Sequence, residues 1–215
     1  MHCKICQQPT HHFFDDYMHC DTYHCKSCQY IFKDPTAIIT KDKELKVYQQ
    51  HNNTEENLGY VAMFQDFMEK TFLPFREEID TVLDFGSGPN PVLASLLTKQ
   101  GFQTEYYDKF FAPKKVFEGK QYDLITSTEV IEHIDDVQEV MTLFSQHLKP
   151  QGYLSLMTQF HPDDENDYLN WWYRRDPTHI SFFRPHTFDV LSRQHNFTLC
   201  YHDDKKLILL QKNAR

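Results

Sequence analysis

Two groups of residues in this 215-residue chain have the types and spacing to do chemistry. The first is Cys3-x-x-Cys6 and Cys25-x-x-Cys28, two hooks with 18 residues between them. The second is Asp84-Phe-Gly86-Ser87-Gly88, which follows the strand-like residues Thr81-Val-Leu. Each hook offers two thiolates from one tight turn, and a second hook at this distance can close a tetrahedral zinc shell. Four protein ligands leave no open position, so the expected Zn2+ is structural. The competing reading, disulfides or free thiols, fits a cytosolic chain less well, because disulfides persist in oxidising compartments. Cys20, His2, His19 and His24 lie beside the hooks and stand as alternatives for one ligand.

The glycine pair has three classes of ligand to choose from. A phosphate loop ends in Gly-Lys-Ser or Gly-Lys-Thr, whereas Gly88 is followed by Pro89 and Asn90. A dinucleotide loop needs a third glycine, and Pro91 stands there. The carboxylate of Asp84 would repel a pyrophosphate and attract a cation. S-adenosyl-L-methionine carries no phosphate and presents an ammonium and a sulfonium, so it satisfies all three constraints. Asp108, 22 residues beyond Gly86 at the end of the next strand-like run, has the spacing of an acid that binds a ribose diol.

The elements that must position these groups alternate. Lys41 to Phe75 is mostly helical in pattern and reads as a packing segment. Then come a strand at 81–85, a helix at 91–100 stopped by Gly101, strands at 103–107 and 122–127, a helix at 135–148 and a strand at 153–158. In the second of these helices, Val137, Val140, Met141, Phe144 and Leu148 share one face, while Asp135 and Asp136 suit its positive end. Strands alternating with helices mean a doubly wound, mostly parallel α/β sheet. A helix at 185–195 and strand-like runs at 197–201 and 206–211 predict a carboxyl-terminal antiparallel hairpin. Three units are expected: a zinc-ribbon-like module at 1–40, a helical connector and lid at 41–78, and the ligand-binding domain at 79–215.

Asp84, Gly86, Gly88 and Asp108 together resemble the class I S-adenosylmethionine-dependent methyltransferases, whose first motif is an acidic residue followed by a Gly-x-Gly turn. Ser127-Thr-Glu129-Val-Ile-Glu132-His133 resembles the fourth-strand motif of the branch that acts on small molecules. The cysteine hooks and Asp176-Pro-Thr-His179-Ile-Ser-Phe-Phe183 resemble members of that branch with a zinc-binding head. The resemblance covers residues 78–160 well and the remainder more weakly. It implies a Rossmann-like fold and a cofactor site that includes Asp84, Gly86, Ser87, Gly88, Asp108, Ser127 and Glu129. The residue after the ribose-binding acid is often apolar in this family. Here it is Lys109, which leaves Phe110 or Phe111 to pack on adenine, and no strand can be placed between Asp108 and Tyr122. Glu129, Glu132 and His133 also fit structural roles.

The acceptor region is expected in His161 to Phe183, which holds both tryptophans and interspersed Arg174, Arg175, Asp176 and His179. Aromatics with a few polar groups can roof a small apolar acceptor, or Trp171, Trp172, Phe182 and Phe183 can simply pack on the sheet. His179 leads as a general base, since imidazole titrates near neutrality. The fourth-strand motif is not Asn/Asp-Pro-Pro-Tyr and contains no Pro-Cys, which disfavours amino methylation of adenine and cytosine C5 chemistry.

Charge narrows the partners. The net charge of −9, with 15% aromatic residues, fits a folded protein without a broad electrostatic grip on nucleic acid. Residues 1–50 balance six lysines against six acids, so the cysteine module is not a basic reader. No apolar run is long enough to span a membrane, and no leader is evident, so the chain is expected to be cytoplasmic. The sequons at Asn52 and Asn196 are then accidental. The reading is a methyltransferase with a small-molecule acceptor. An RNA methyltransferase whose zinc module reads the substrate, and a cofactor-binding adaptor without activity, compete with it.

Overall fold

The structure, a computed structural model, describes residues 1–50 and 53–214. Asn52 of the first sequon lies outside the described residues. Among the described residues, ten strands build two sheets. The amino-terminal strands β1 (His11–Asp15), β2 (Cys20–Cys25) and β3 (Tyr30–Lys33) form an antiparallel meander. The larger sheet contains β4 (Thr81–Phe85), β5 (Gln103–Tyr107), β6 (Tyr122–Thr128) and β7 (Leu148–Met157). A two-residue strand, β8 (Ser181–Phe182), joins the first sheet, while β9 (Phe197–His202) and β10 (Leu207–Lys212) complete the second.

The six-stranded order is β5-β4-β6-β7-β10-β9. Strands β5, β4, β6 and β7 run parallel, and β10 lies antiparallel to both β7 and β9, which is the expected hairpin. Because β5 lies on one side of β4 and β6 on the other, the order reverses at β4. A crevice opens beyond the carboxyl ends of the strands at such a switch point. No strand lies between Asp108 and Tyr122, as the sequence leads one to expect.

Helices cover both faces. The mostly helical segment from Lys41 contains α1 (Lys41–Tyr48) and α2 (Leu58–Lys70), followed by a 3-10 turn at Leu73–Glu78 that begins at the proline-containing Leu73-Pro74. Helix α3 (Val92–Lys99) ends before Gly101, whose φ of 87° supplies the left-handed residue that stops a helix. Helix α4 (Val137–His147) is capped by Asp136, whose side chain accepts from the Glu139 amide, and it buries Val137, Val140, Met141 and Phe144. The next strand starts at Leu148, five residues earlier than the sequence pattern indicates; Gln151, at φ 64°, lies in the irregular stretch before Gly152. Two short helices follow, α5 (Glu165–Asn170) and α6 (Pro185–Gln194). On one face, α2 and α3 set Phe64, Phe67 and Leu97 against Val82 and Leu124. On the other, α4 and α6 share a core with Tyr30 and Phe32 of the amino-terminal sheet.

The two sheets are joined through residues 174–182. Ile31 and Phe32 of β3 pair with Phe182 and Ser181 of β8, and Tyr30 Oη lies 2.6 Å from Ser181 Oγ. Arg174 Nη1 donates to both oxygens of Asp15, at 2.8 and 2.6 Å, with both side chains buried. Lys33 Nζ donates to the carbonyls of Arg174 and Asp176. Phe182 and Phe183 are buried, and Trp171 packs beside Tyr168 and Tyr173. Those three aromatics take the packing role, whereas Trp172 is 66% exposed.

Breaking a buried ion pair from one side leaves an uncompensated charge. Arg174→Ala should therefore lower the unfolding free energy in urea by about 3–5 kcal/mol. Arg174→Ala combined with Asp15→Ala should cost less than the sum of the two single changes; strict additivity would show that the pair is not coupled.

Candidate functional site

Beyond the carboxyl ends of β4, β5 and β6 lies a cavity of about 500 Å³. The glycine turn forms one wall. Gly86 and Gly88 have φ of 87° and 67°, and a Cβ on Gly86 would run into the Val130 side chain. Glycine at 86 thus lets the end of β6 close against the turn. The amides of Gly86 and Ser87 donate to the Tyr107 carbonyl at 2.7 and 3.1 Å, which ties the turn to the end of β5.

Asp108 holds this wall together. Its Oδ2 accepts from the Gly88 amide at 2.9 Å, and its Oδ1 accepts from the amides of Phe110 and Phe111 at 2.8 and 3.0 Å. Oδ1 thus uses both of its lone pairs, and Oδ2 keeps a second one for a ligand hydroxyl. Asp84 sits deeper and is 2% exposed, and its Oδ1 accepts from Thr126 Oγ1 at 3.0 Å. Burial pushes its carboxyl up to about 7, against the pull of the Thr126 bond. A cation in the cavity would reverse that push. Phe110 and Phe111 both line the cavity, and Lys109 turns aside to an ion pair with Glu44 at 2.6 Å.

The opposite wall comes from the end of β6 and from residues 172–179. Glu129, at φ 54°, adopts a conformation that costs a non-glycine residue strain and that recurs at functional sites. Its amide donates to the Met157 carbonyl at 2.8 Å. The Tyr173 hydroxyl lies 2.9 Å from Glu129 Oε2 and 2.5 Å from Glu132 Oε1, so one phenol bridges the half-buried carboxyl of Glu129 and the buried one of Glu132. Burial raises both carboxyls, that of Glu129 to about 7. His133 and His179 stand with ring centroids 4.7 Å apart, and Tyr173 lies against His179 at 4.1 Å. Burial, with the neighbouring His179, depresses His133 to about 3 and keeps it neutral. Tyr48 from α1 and Tyr60, Met63 and Phe64 from α2 line the open side.

The expected residues therefore converge on one cavity: Asp84, Gly86, Ser87, Gly88, Asp108, Glu129 and His179 all line it. Ser127 is the exception. It is buried in β6 with its Oγ unpartnered among the described residues, and the lining begins at Thr128. One step along a strand reverses the face a side chain presents, so Ser127 points away from the cavity wall.

The cysteine hooks form a second centre. Cys3 Sγ lies 3.5 Å from Cys28 Sγ and Cys6 Sγ lies 3.4 Å from Cys25 Sγ, and all four sulfurs lie within 4.8 Å of one another. These spacings exceed the S–S bond of about 2 Å and approach the thiolate separations around a tetrahedral zinc with bonds of about 2.3 Å. The two turns repeat each other. The Gln7 amide donates to the Cys3 carbonyl and that of Gln29 to Cys25, and both glutamines have φ near 60°. The donor set and the paired turns fit Zn2+. Cys20 is buried along β2 beside Thr22, and none of Cys20, His2, His19 or His24 belongs to the cluster.

Residues 56–202 match the family model described as a methyltransferase domain. The chain belongs to this methyltransferase family. Over 72 residues it is 32% identical to a ubiquinone biosynthesis O-methyltransferase from Salmonella paratyphi A and 33% identical to one from Escherichia coli O7:K1. Each match takes in 34% of this chain and 30% of the relative, so the chain covers under a third of those enzymes' length. In structure it resembles human N-acetylserotonin methyltransferase solved with SAM, with a TM-score of 0.57 and 13% identity over 81% of this chain and 57% of that one. An O-methyltransferase family protein from Burkholderia thailandensis gives 0.53 and 17% over 71% and 56%. Both show a shared fold.

Sequence reasoning about this methyltransferase missed Tyr173, because nothing in Trp-Trp-Tyr-Arg-Arg marks one aromatic as the bridge. It also missed Tyr48, whose ring meets His133 at 5.3 Å across a gap of 85 residues in sequence. Asp84 gives a direct test of the cavity's polarity. Its carboxyl titrates near 7 when folded and near 4 when unfolded, so between those values only the folded chain holds the proton. That stabilisation is complete below about pH 4 and is lost as pH rises through about 7. Without ligand, the advantage of wild type over Asp84→Asn in urea unfolding should shrink by a few kcal/mol, on the order of 2–4, from pH 4 to pH 8. A pH-independent difference would place Asp84 in contact with water.

Proposed function

We propose that the chain is an S-adenosyl-L-methionine-dependent methyltransferase acting on a small molecule. The observation that carries this reading is that the glycine turn with Asp84 and Asp108, and the His179 wall, face each other across one cavity. Asp84, Gly86, Ser87, Gly88 and Asp108 hold the cofactor: Asp108 takes the ribose hydroxyls, Asp84 complements the positive end and Phe110 or Phe111 packs on adenine. The bound cofactor supplies an activated methyl group. Glu129 stands where the cofactor and acceptor ends meet. His179 is the residue on which acceptor activation turns, and Trp172 with the α1 and α2 aromatics forms the roof. Positioning of this kind accounts for much of the rate in a displacement reaction.

A small acceptor is favoured over RNA by the net charge of −9 and by the aromatic enclosure of the acceptor end. Residues 1–40 form the module in which Cys3, Cys6, Cys25 and Cys28 hold structural zinc, 41–78 the connector and lid, and 79–215 the cofactor domain. No helix among the described residues is long and apolar enough to cross a membrane, and we place the protein in the cytoplasm.

Titration calorimetry with S-adenosyl-L-methionine should show one site per chain, weakened at least tenfold in Asp108→Ala, which corresponds to about 1.4 kcal/mol. Absence of binding to the folded wild-type chain would end this reading. His179→Gln should lower turnover while leaving cofactor affinity within about threefold, a difference below 1 kcal/mol.

A further inference from the structure

The acceptor wall contains a donor cluster that the cofactor does not need. Glu132, His133 and His179 each bring one donor atom within 4.8 Å of the other two. We propose that these residues, with Glu129 as the adjoining carboxylate, bind one divalent metal ion at the acceptor end of the cavity, separate from the cysteine site.

The orientation of the imidazoles carries the inference. His133 Nδ1 lies 3.0 Å from the Thr178 carbonyl and His179 Nδ1 lies 2.8 Å from the Tyr173 carbonyl. A carbonyl only accepts, so each ring carries its proton on Nδ1 and turns an Nε2 lone pair the other way. This is the arrangement in which metal-ligating histidines are held, with the far nitrogen fixed by a backbone carbonyl. His133 Nε2 faces Glu132 Oε1 at 3.9 Å. The carboxylates are fixed as well, since Tyr173 Oη lies within hydrogen-bonding distance of both Glu129 Oε2 and Glu132 Oε1. Glu132 is fully buried, and its Oε2 has no hydrogen-bond partner among the described residues. A buried carboxylate left in that state is costly unless something positive meets it.

Two neutral imidazoles with carboxylate oxygens suit Mn2+, Fe2+, Co2+ or Zn2+, and the four thiolates of the amino-terminal site suit zinc. Three or four protein ligands leave a position open for an oxygen from the cavity. The acceptor class that follows is a hydroxyl compound: its oxygen would take the open position, the ion would weaken the O–H bond, and the proton would leave to water. His133 and His179 line the cavity, so such an oxygen would lie on the side facing the glycine turn. This inference rests on the methyl-transfer reading for the identity of the acceptor, but the ion site itself can be measured without it.

The test uses the full chain with its cysteine site loaded with zinc. Titration with Mn2+, followed by the loss of the free-ion paramagnetic resonance signal, should saturate at one ion per chain. His133→Ala with His179→Ala should abolish saturable binding, and Tyr173→Phe, which keeps every ligand, should weaken it by about 10-fold. Should the double variant fail to fold, Co2+ added to the zinc-loaded wild type decides, since nitrogen and oxygen coordination lacks the thiolate charge-transfer bands of the cysteine site. Absence of saturable Mn2+ and Co2+ binding, or binding unchanged in a folded double variant, would overturn the metal site. If S-adenosyl-L-methionine binds and Mn2+ does not, only this inference falls. If Mn2+ binds and S-adenosyl-L-methionine does not, the methyl-transfer reading falls and the ion site stands.

Discussion

The pairing of the amino-terminal sheet with residues 174–182 is the constraint on which one wall of the cavity depends. Arg174 and Asp15 are buried together, Lys33 is held on the carbonyls of Arg174 and Asp176, and β8 extends the meander by one strand. A two-residue strand cannot persist alone, and a buried guanidinium is tolerated only opposite a carboxylate. Each therefore needs the other chain segment. Tyr173, Asp176 and His179 lie within this seam, so their positions in the cavity wall follow from how the amino-terminal sheet docks. The sulfur cluster sits at the far end of the same meander, because Cys25 ends β2 and Cys28 precedes β3. The chain of cause runs from thiolate geometry, through two strands, to an imidazole in the cavity.

The cofactor side is governed by a different constraint, namely close approach. Gly86 admits Val130, and the Tyr107 carbonyl and the Asp108 carboxylate take up the amides that the turn would otherwise leave without partners. This wall is built from backbone and one side chain, within a stretch of about thirty residues. Its precision does not depend on the amino-terminal sheet. The two walls meet at the end of β6, where Glu129 adopts a left-handed conformation directly before Val130. The strain at Glu129 and the glycine at 86 are two sides of one packing solution, since both allow β6 to end against the turn.

This division explains what could be read from the sequence. The parallel sheet, the glycine turn, Asp108 and the paired cysteines are legible because each is a local pattern: a period, a spacing or a hook within a few residues. The α4 face was legible for the same reason. The break between α1 and α2 falls inside the segment of mostly helical pattern, in the stretch from Gln49 to Asn57, which contains no apolar residue. Ser127 lies one residue short of the lining, which begins at Thr128, a difference of one step in strand register that a motif does not reveal. Tyr173 was invisible, since its importance comes from two carboxylates 41 and 44 residues away that reach one hydroxyl.

The buried polar groups on the acceptor wall show how far packing alone can account for the site. Two carboxyls and two imidazoles occupy a space that an ordinary core would fill with leucine or phenylalanine. The fold offsets part of that desolvation with fixed partners: the Tyr173 hydroxyl for the carboxyls, and the carbonyls of Thr178 and Tyr173 for the rings. Every one of these partners satisfies the outward side of its group. Glu129, His133 and His179 also line the cavity, whereas Glu132 is fully buried outside that lining with its Oε2 unpartnered among the described residues. Across the cavity, Asp108 accepts from two amides of its own loop and one of the glycine turn, and keeps a lone pair on Oδ2 for a ligand. Both walls are therefore preorganised from behind, at a cost in stability that only a bound ligand recovers.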